Sequence, residues 1–212
     1  MWFFTGRSNT RVTKEEALKG RETEIQVNPT HLVTGNRTHQ PWPDDHEVIV
    51  VAMGCFWGAE RKMWQQEGIY STQVGYAGGY TRNPTYKEVC SGRTDHTEVV
   101  RVVFDPKIIS VQQIMVTFLE NHDPTQGMRQ GNDVGSQYRS AVYCSDEEQL
   151  TIVKEMLASF QRGLHAKGYG DITTEVGLMP PFYYAEDYHQ QYLHKNPNGY
   201  CGLRGTGVEC RI

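Results

Sequence analysis

The residues with the clearest chemical potential in this 212-residue chain are the Gly-Cys-Phe-Trp-Gly segment at residues 54–58. The segment follows an apolar run at residues 48–53, and a β-branched run that meets a glycine predicts a strand turning into a helix. Cys55 would then stand at a helix N-terminus, where free N–H groups and the helix dipole favour a thiolate. We therefore expect Cys55 to have a lowered pKa and a nucleophilic sulfur. The neighbouring Phe56 and Trp57 predict chemistry on a small, largely apolar group.

Glu98 is the second residue whose position suggests catalysis. A strand is predicted over residues 98–104, and its alternation places Glu98 on one face with Val100, Val102 and Phe104. A carboxyl group among apolar neighbours has a raised pKa, and a neutral carboxylic acid can donate a proton at neutral pH. The alternative is that Glu98 lies at the strand end and reaches water, and periodicity supports both interpretations equally.

Two polar segments carry further candidates. Residues 121–139 form a long, glycine-rich stretch containing Asp133 and Tyr138, and long irregular loops are often functional. Composition alone favours the simpler interpretation, a surface loop in which Asp133 caps a turn.

The glycine-rich tail holds Cys201 and Cys210, nine residues apart. Glycines give such a segment the mobility that successive thiol–disulfide exchanges require. One alternative is a tail with incidental thiols. Another is a metal site with His189 and His194, although two cysteines without a CxxC pair make zinc a weak choice.

The elements that must position these residues alternate between strands and helices. Strands are predicted at 47–53, 73–77, 98–104, 139–144 and 173–176, and helices at 56–66, 84–89, 111–120, 146–162 and within 181–195. The predicted helix caps are Asn83, a capping box of Ser110 with Gln113, and a second box of Ser145 with Glu148.

This order predicts an α+β fold, a two-layer α/β sandwich with helices on a mixed or antiparallel sheet. A ferredoxin-like plait, the split βαβ topology, is the leading choice, followed by a long irregular C-terminal segment. We expect three parts: a polar N-terminal arm at 1–45, a catalytic α/β domain at 46–180, and a C-terminal wrapping segment at 181–212.

Composition excludes several classes of protein. A hydrophobic fraction of 38% and a charged fraction of 22% are those of a globular protein, and no apolar stretch approaches the roughly 20 residues that cross a membrane. The net charge of −4 gives no reason to expect nucleic acid, and five scattered cysteines do not form a secreted disulfide framework. No secretory signal is expected. We expect a monomer in the cytoplasm, with mitochondria as the alternative location.

From about residue 47 to its end, the chain resembles the A-type peptide methionine sulfoxide reductases. The resemblance rests on the Cys55 segment and on the loop that carries Asp133 and Tyr138. Further matching segments are 78–80 (GGY), 83–86 (NPTY), 182–187 (FYYAED), 189–193 (HQQYL) and 199–202 (GYCG).

The resemblance implies a role for each matching residue on the substrate side. Cys55 matches the nucleophile, and Phe56 and Trp57 match the wall that holds the S-methyl group of the substrate. Glu98 matches the acid that protonates the sulfoxide oxygen, which agrees with the periodicity of its strand.

Other residues match groups that bind oxygen or move the disulfide. Tyr86 and Tyr138 match hydroxyls that bind the sulfoxide oxygen, and Asp133 matches a supporting polar group. Cys201 matches the resolving cysteine, and Cys210 matches a second, recycling cysteine.

The implied reaction reduces methionine-S-sulfoxide, free or in proteins, and leaves Cys55 as a sulfenic acid. Cys201 would condense with it to a disulfide, Cys210 would take over that disulfide, and thioredoxin would reduce it. No metal or organic cofactor is required. The competing hypotheses are a thiol peroxidase, which gives Phe56 and Trp57 no role, and a metal-binding or redox-sensing module.

Overall fold

The fold alternates short helices with the strands of one sheet. The computed structural model describes residues 10–210. The strands are β1 (Glu47–Met53), β2 (Ile69–Ala77), β3 (Thr97–Phe104), β4 (Arg129–Gln130), β5 (Asp133–Val134), β6 (Ser140–Cys144), β7 (Glu175–Leu178) and β8 (Tyr183–Tyr184). The helices are α1 (Phe56–Trp64), α2 (Tyr86–Cys90), α3 (Val111–Asn121), α4 (Glu147–Ala166) and α5 (Tyr192–Lys195).

Four strands make the predicted plait. They lie in the order β6-β1-β3-β2, and each neighbouring pair is antiparallel. Val51 of β1 lies opposite Val100 of β3 on one side and Val142 of β6 on the other. The α+β class and the ferredoxin-like topology are therefore confirmed. Two strands extend the sheet at its edges, β7 parallel to β6 and β8 antiparallel to β2.

One face of the sheet carries the helices. Alternation in β1 turns Ile49, Val51 and Met53 towards this face, where they are fully buried with apolar residues of α1, α3 and α4. Val50 and Ala52 point to the opposite face and join a second, smaller cluster. Burial on both faces explains why β1 reads as a continuous apolar run rather than an alternating one.

The second face is covered by the N-terminal arm and by the chain near β8. There the Arg101 guanidinium lies 4.9 Å from the ring centre of Trp42 and 4.1 Å from that of Phe182. Another part of the arm reaches the helix-bearing side, where His31 is buried beside Thr72 of β2 and Trp64 of α1. The first nine residues of the predicted arm lie outside the described residues. From residue 10 onwards the arm contributes to packing, so the sheet is covered on both sides.

Two of the three predicted helix caps were wrong. Ser110 and Gln113 do form the predicted capping box on α3. Helix α2 starts instead after Thr85, which forms a box with Glu88, and Asn83 has a left-handed backbone (φ 43°). Helix α4 is capped by Asp146 and not by Ser145. In each case a nearby residue also has a side-chain oxygen that can cap a helix, and the local sequence does not show which of the two residues is the cap.

Several element ends also differ from prediction. Strand β2 begins at Ile69 rather than residue 73, because Ser71 and Thr72 are buried polar strand residues. Strand β7 ends at Leu178, and the predicted helix within 181–195 is replaced by β8, one 3-10 turn and the short α5. Residues 196–210 contain neither helix nor strand, as expected for the tail. Among the described residues, no helix is long and apolar enough to cross a membrane.

Candidate active site

Cys55 lies at the N-terminus of α1, directly after β1, as predicted. Gly54 makes the turn with a φ of +89°, a conformation that favours glycine, and a Cβ there would lie 2.5 Å from the Gln130 side chain. Cys55 is only 9% exposed. The turn therefore presents the sulfur at the helix N-terminus but inside the protein.

The predicted lowering of the Cys55 pKa is wrong. Burial raises the pKa well above its ordinary value, and the nearby Glu98 carboxyl raises it further. The backbone N–H of Trp57 acts in the opposite direction but does not outweigh burial. The resting sulfur is therefore a protonated thiol. The loss of water destabilises the thiolate more than the N–H groups and dipole of the helix N-terminus stabilise it.

Glu98 is buried beside this turn. Its side chain is 1% exposed, and Oε2 accepts a hydrogen bond of 3.0 Å from the backbone N–H of Phe56. Burial raises the pKa of Glu98 to about 8, with a smaller contribution from Asp133, and the bond from Phe56 lowers it only in part. The Glu98 carboxyl is thus a neutral acid at neutral pH, and it is hydrogen-bonded to the residue that follows Cys55. The alternative of a solvated strand end is wrong.

Two tyrosine hydroxyls lie near the same carboxyl. Tyr86 begins α2, and Tyr138 ends a 3-10 turn at Ser136–Tyr138. Burial raises the pKa of both tyrosines strongly, and the charge of Glu98 is the next cause for each. Both hydroxyls therefore stay protonated and can donate hydrogen bonds to an oxygen placed beside Glu98.

Asp133 lies on the rim of this group, on β5. The Tyr200 hydroxyl donates a hydrogen bond of 3.1 Å to Asp133 Oδ2, which connects the tail to the loop at 121–139. That loop, predicted to be irregular, contains the β4–β5 pair. Asp133 also contributes to the raised pKa of Cys55 and of Glu98.

Phe56 and Trp57 form part of an aromatic wall. The Trp57 ring stacks on Tyr192 with ring centres 3.9 Å apart, and its Nε1 donates a hydrogen bond of 3.0 Å to His189 Nδ1. The His189 ring centre lies 5.2 Å from Phe56 and 4.5 Å from Tyr86. The wall therefore continues from α1 into the chain at 189–192.

From the sequence, His189 is a candidate only for a metal site, and its contact with Trp57 is not predicted. Burial lowers the pKa of His189 to about 4, so its ring is neutral. Since Nδ1 accepts from Trp57, Nε2 carries the proton, and within residues 10–210 no side chain or backbone group accepts it. No spacing in the sequence indicates this pairing, because 132 residues separate the two partners.

The two tail cysteines occupy different places. Cys201 Sγ lies 2.9 Å from the point where a Cβ on Gly58 would be, against the first turn of α1, and its charge affects Cys55. Cys210 is held elsewhere: its backbone N–H donates a hydrogen bond of 2.8 Å to Glu120 Oε1 at the end of α3. The structure brings Cys201 to Cys55 but not Cys210.

The alternative of a metal site with His189 and His194 is not supported by the described residues. No group of three or more His, Cys, Asp or Glu residues there is arranged to hold a metal ion. His189, one of the two histidines considered, accepts from Trp57 through Nδ1 instead.

A thiol beside a neutral acid, on a plait and facing an apolar wall, defines a thiol-dependent oxidoreductase. The sequence profile described as peptide methionine sulfoxide reductase matches residues 47–209. The chain belongs to the peptide methionine sulfoxide reductase family.

Relatives from distant organisms are similar over nearly the whole chain. The mitochondrial peptide methionine sulfoxide reductase of Rattus norvegicus is 58% identical, covering 97% of this chain and 88% of the relative. The structure of methionine sulfoxide reductase A of Corynebacterium diphtheriae is 46% identical with a TM-score of 0.86, covering 96% of this chain and 99% of the other. Reduced Mxr1 of Saccharomyces cerevisiae is 35% identical with a TM-score of 0.72, covering 79% and 94%.

Proposed function

We propose that this protein reduces methionine-S-sulfoxide, free or in oxidised proteins, with Cys55 as the nucleophile and Glu98 as the proton donor. The observation that supports this assignment most is the position of Glu98. It is a buried neutral acid, hydrogen-bonded to the residue that follows Cys55. A sulfoxide oxygen leaves as a very basic anion unless it is protonated, so an acid at this place meets the main chemical demand of the reaction.

The first step balances without a cofactor. Cys55 Sγ attacks the sulfoxide sulfur while Glu98 gives its proton to the oxygen, and the thiol proton of Cys55 replaces the one that Glu98 loses. The attack forms a bond between Cys55 Sγ and the substrate sulfur. That bond and the S–O bond of the substrate then break as the hydroxyl group moves to Cys55 Sγ, which leaves Cys55 as a sulfenic acid. The substrate sulfur is reduced by two electrons, Cys55 is oxidised by two, and methionine leaves.

The surrounding groups hold the substrate for this step. The Tyr86 and Tyr138 hydroxyls, protonated and close to Glu98, donate to the sulfoxide oxygen, where negative charge develops. Phe56 and Trp57 receive the S-methyl group. Asp133 supports the site from its rim through Tyr200.

Cys201 resolves the sulfenic acid. The Cys201 sulfur attacks Cys55 Sγ, a disulfide forms, and the hydroxyl of the sulfenic acid leaves as water with the thiol proton of Cys201. The position of Cys201 against the first turn of α1 supports this role. Cys210 then attacks Cys201 and frees Cys55. Because Cys210 is bound to Glu120 beside α3, this exchange requires the tail to leave its present position.

Thioredoxin is the proposed reductant of the resulting Cys201–Cys210 disulfide. The yeast relative Mxr1 is known in a complex with Trx2. We propose a monomer that acts in the cytoplasm. Mitochondria are the alternative location, since the rat relative carries that location in its name. Cell fractionation and the mass of the purified protein in solution test both points.

One trapping experiment tests the reaction. The Cys201→Ser variant is mixed with one equivalent of methionine-S-sulfoxide and dimedone, which labels sulfenic acids, and the labelled residue is identified by mass spectrometry. We expect one methionine per protein and a label on Cys55, with neither in Cys55→Ser.

Two further oxidants provide controls. Methionine-R-sulfoxide is expected to leave Cys55 unlabelled, and hydrogen peroxide to label it more slowly than the S-sulfoxide does. Labelling that is faster with peroxide would support a thiol peroxidase and overturn the proposal.

A further inference from the structure

Glu60 is a buried acid on α1 that the reaction does not use. It is fully buried, three residues after Trp57 and five after Cys55. A buried carboxylate is stable only where donors surround it. Its hydrogen bonds therefore show what it holds in place.

Most of these bonds come from one distant residue. Gln191 donates its backbone N–H to Glu60 Oε2 at 2.8 Å and its side-chain Nε2 to Oε1 at 2.9 Å. Thr72 Oγ1 of β2 donates to Oε1 at 3.0 Å. Gln191 itself has a left-handed backbone with φ of 46°, which is unfavourable for a residue with a side chain. The two bonds to Glu60 stabilise this conformation.

Gln191 lies between two residues that contact the substrate wall. His189 accepts the Trp57 indole N–H, and Tyr192 stacks on the same ring. Gln190 is pinned separately, since its side chain bonds both backbone groups of Val74. In the segment 189–192, the two inner residues are therefore hydrogen-bonded to the body of the protein, and the two outer residues contact Trp57.

The N-terminal arm adds two hydrogen bonds to the residues around Glu60. Leu32 donates its backbone N–H to Gln191 Oε1, and His31 Nε2 bonds Thr72 Oγ1 at 2.8 Å. Since the Thr72 hydroxyl donates to Glu60, His31 is the donor to Thr72. Gln191 Nε2 also lies 3.5 Å from the Thr72 carbonyl oxygen. The other hydrogen bonds from His31, Thr72 and Gln191 run towards the Glu60 carboxylate, and none of them involves substrate.

From this geometry we infer that Glu60 is a positioning residue for substrate binding: through Gln191 it holds His189 and Tyr192 against Trp57. It touches neither the sulfur nor the substrate. The inference rests on the proposed function, in which Trp57 receives the S-methyl group. Loss of the Glu60 bonds should loosen the wall and leave Cys55 and Glu98 in place, so substrate affinity falls more than the rate at saturation.

The test compares Glu60→Gln with Thr72→Val, using methionine-S-sulfoxide and dithiothreitol as the reductant. Glu60→Gln replaces one carboxylate oxygen by an NH2 group, which faces a group that now donates a hydrogen bond to Glu60. That hydrogen bond is lost. We expect KM to rise about tenfold, the equivalent of one lost buried hydrogen bond, with kcat changed less than about threefold. Thr72→Val removes a bond to the same carboxylate but leaves Gln191 bonded. It should lower the thermal midpoint and leave KM unchanged.

A swap variant distinguishes positioning from general destabilisation. Glu60→Gln combined with Gln191→Glu exchanges the carboxylate and the amide, and should return KM to within about threefold of wild type. If Glu60→Gln does not fold, Gln191→Ala tests the same link through its side-chain bond alone, with an intermediate rise in KM. An unchanged KM in the folded variants, or equal rises in KM for Thr72→Val and Glu60→Gln, would overturn the inference. An inactive wild-type protein would instead refute the proposed function.

Discussion

Gly58→Ala should separate the oxidation of Cys55 from the formation of its disulfide. Gly58 lies in the first turn of α1, and a Cβ there would stand 2.9 Å from Cys201 Sγ and 2.9 Å from Leu203 Cγ. The substitution adds one methyl group at the place where the tail contacts the helix. The Cys55 and Glu98 side chains are not among the nearest atoms to that methyl.

The size of the effect follows from the contact distance. Ordinary van der Waals contact begins near about 3.5 Å, so Cys201 Sγ must withdraw by roughly 0.6 Å or more. A misplacement near 1 Å can slow a reaction between positioned groups by about 10²-fold. We therefore expect disulfide formation between Cys55 and Cys201 to slow by about tenfold to a hundredfold. Methionine release in the first turnover should keep its wild-type rate.

The assay is a rapid-quench single turnover with methionine-S-sulfoxide and no reductant. Free methionine and free thiols are counted at each time point. Gly163→Ala is the matched control, because its Cβ also meets the tail, 2.8 Å from Val208, but not at Cys201. Both changes place alanine in a helix and raise helix propensity equally. Equal rates of thiol loss in Gly58→Ala and Gly163→Ala would refute the reasoning.

Four further predictions concern Glu98 and Cys210. Glu98→Gln should slow methionine release in a single turnover by about 10²-fold, the scale of general acid catalysis, and an unchanged rate would remove Glu98 from proton transfer. In wild type, methionine release should decline above about pH 8 as Glu98 loses its proton, and this decline should be absent in Glu98→Gln. Folding raises the pKa of Glu98 from 4.5 to about 8, so the native state binds this proton more tightly. Urea unfolding should therefore show Glu98→Gln gaining stability relative to wild type between about pH 4.5 and 8; a constant difference would contradict that pKa. Cys210→Ser should release one methionine per protein but turn over poorly with thioredoxin, and normal turnover would exclude the disulfide transfer.

Much of the plait could be predicted from sequence because its strands have unambiguous patterns. The continuous apolar run of β1 and the alternation of β3 both reflect burial that the residues themselves encode. The alternation of β3 placed Glu98 on the apolar face, but it did not decide between a buried acid and a strand end in water, because that depends on the residues packed around it. The ends of β2 and β7 could not be predicted either, because the exposure of polar residues there is decided by distant chain segments.

The protonation state of Cys55 and the wall beyond Trp57 could not be predicted. A helix N-terminus lowers a thiol pKa only where water remains, and the extent of burial is a property of the whole fold. The bonds of His189 to Trp57 and of Gln191 to Glu60 join residues more than 130 positions apart. Such pairings leave no periodic pattern in a single sequence.

The most direct measurement is the protonation state of Glu98 at neutral pH. Infrared difference spectra of wild type and Glu98→Gln, with 13C-labelled glutamate, report the carboxyl as an acid or as a carboxylate. We expect the C=O stretch of a protonated acid at pH 7, and we expect this band to disappear as the pH rises through about 8. A carboxylate band at pH 7 would show that no proton is available for the sulfoxide oxygen, and would contradict the central claim.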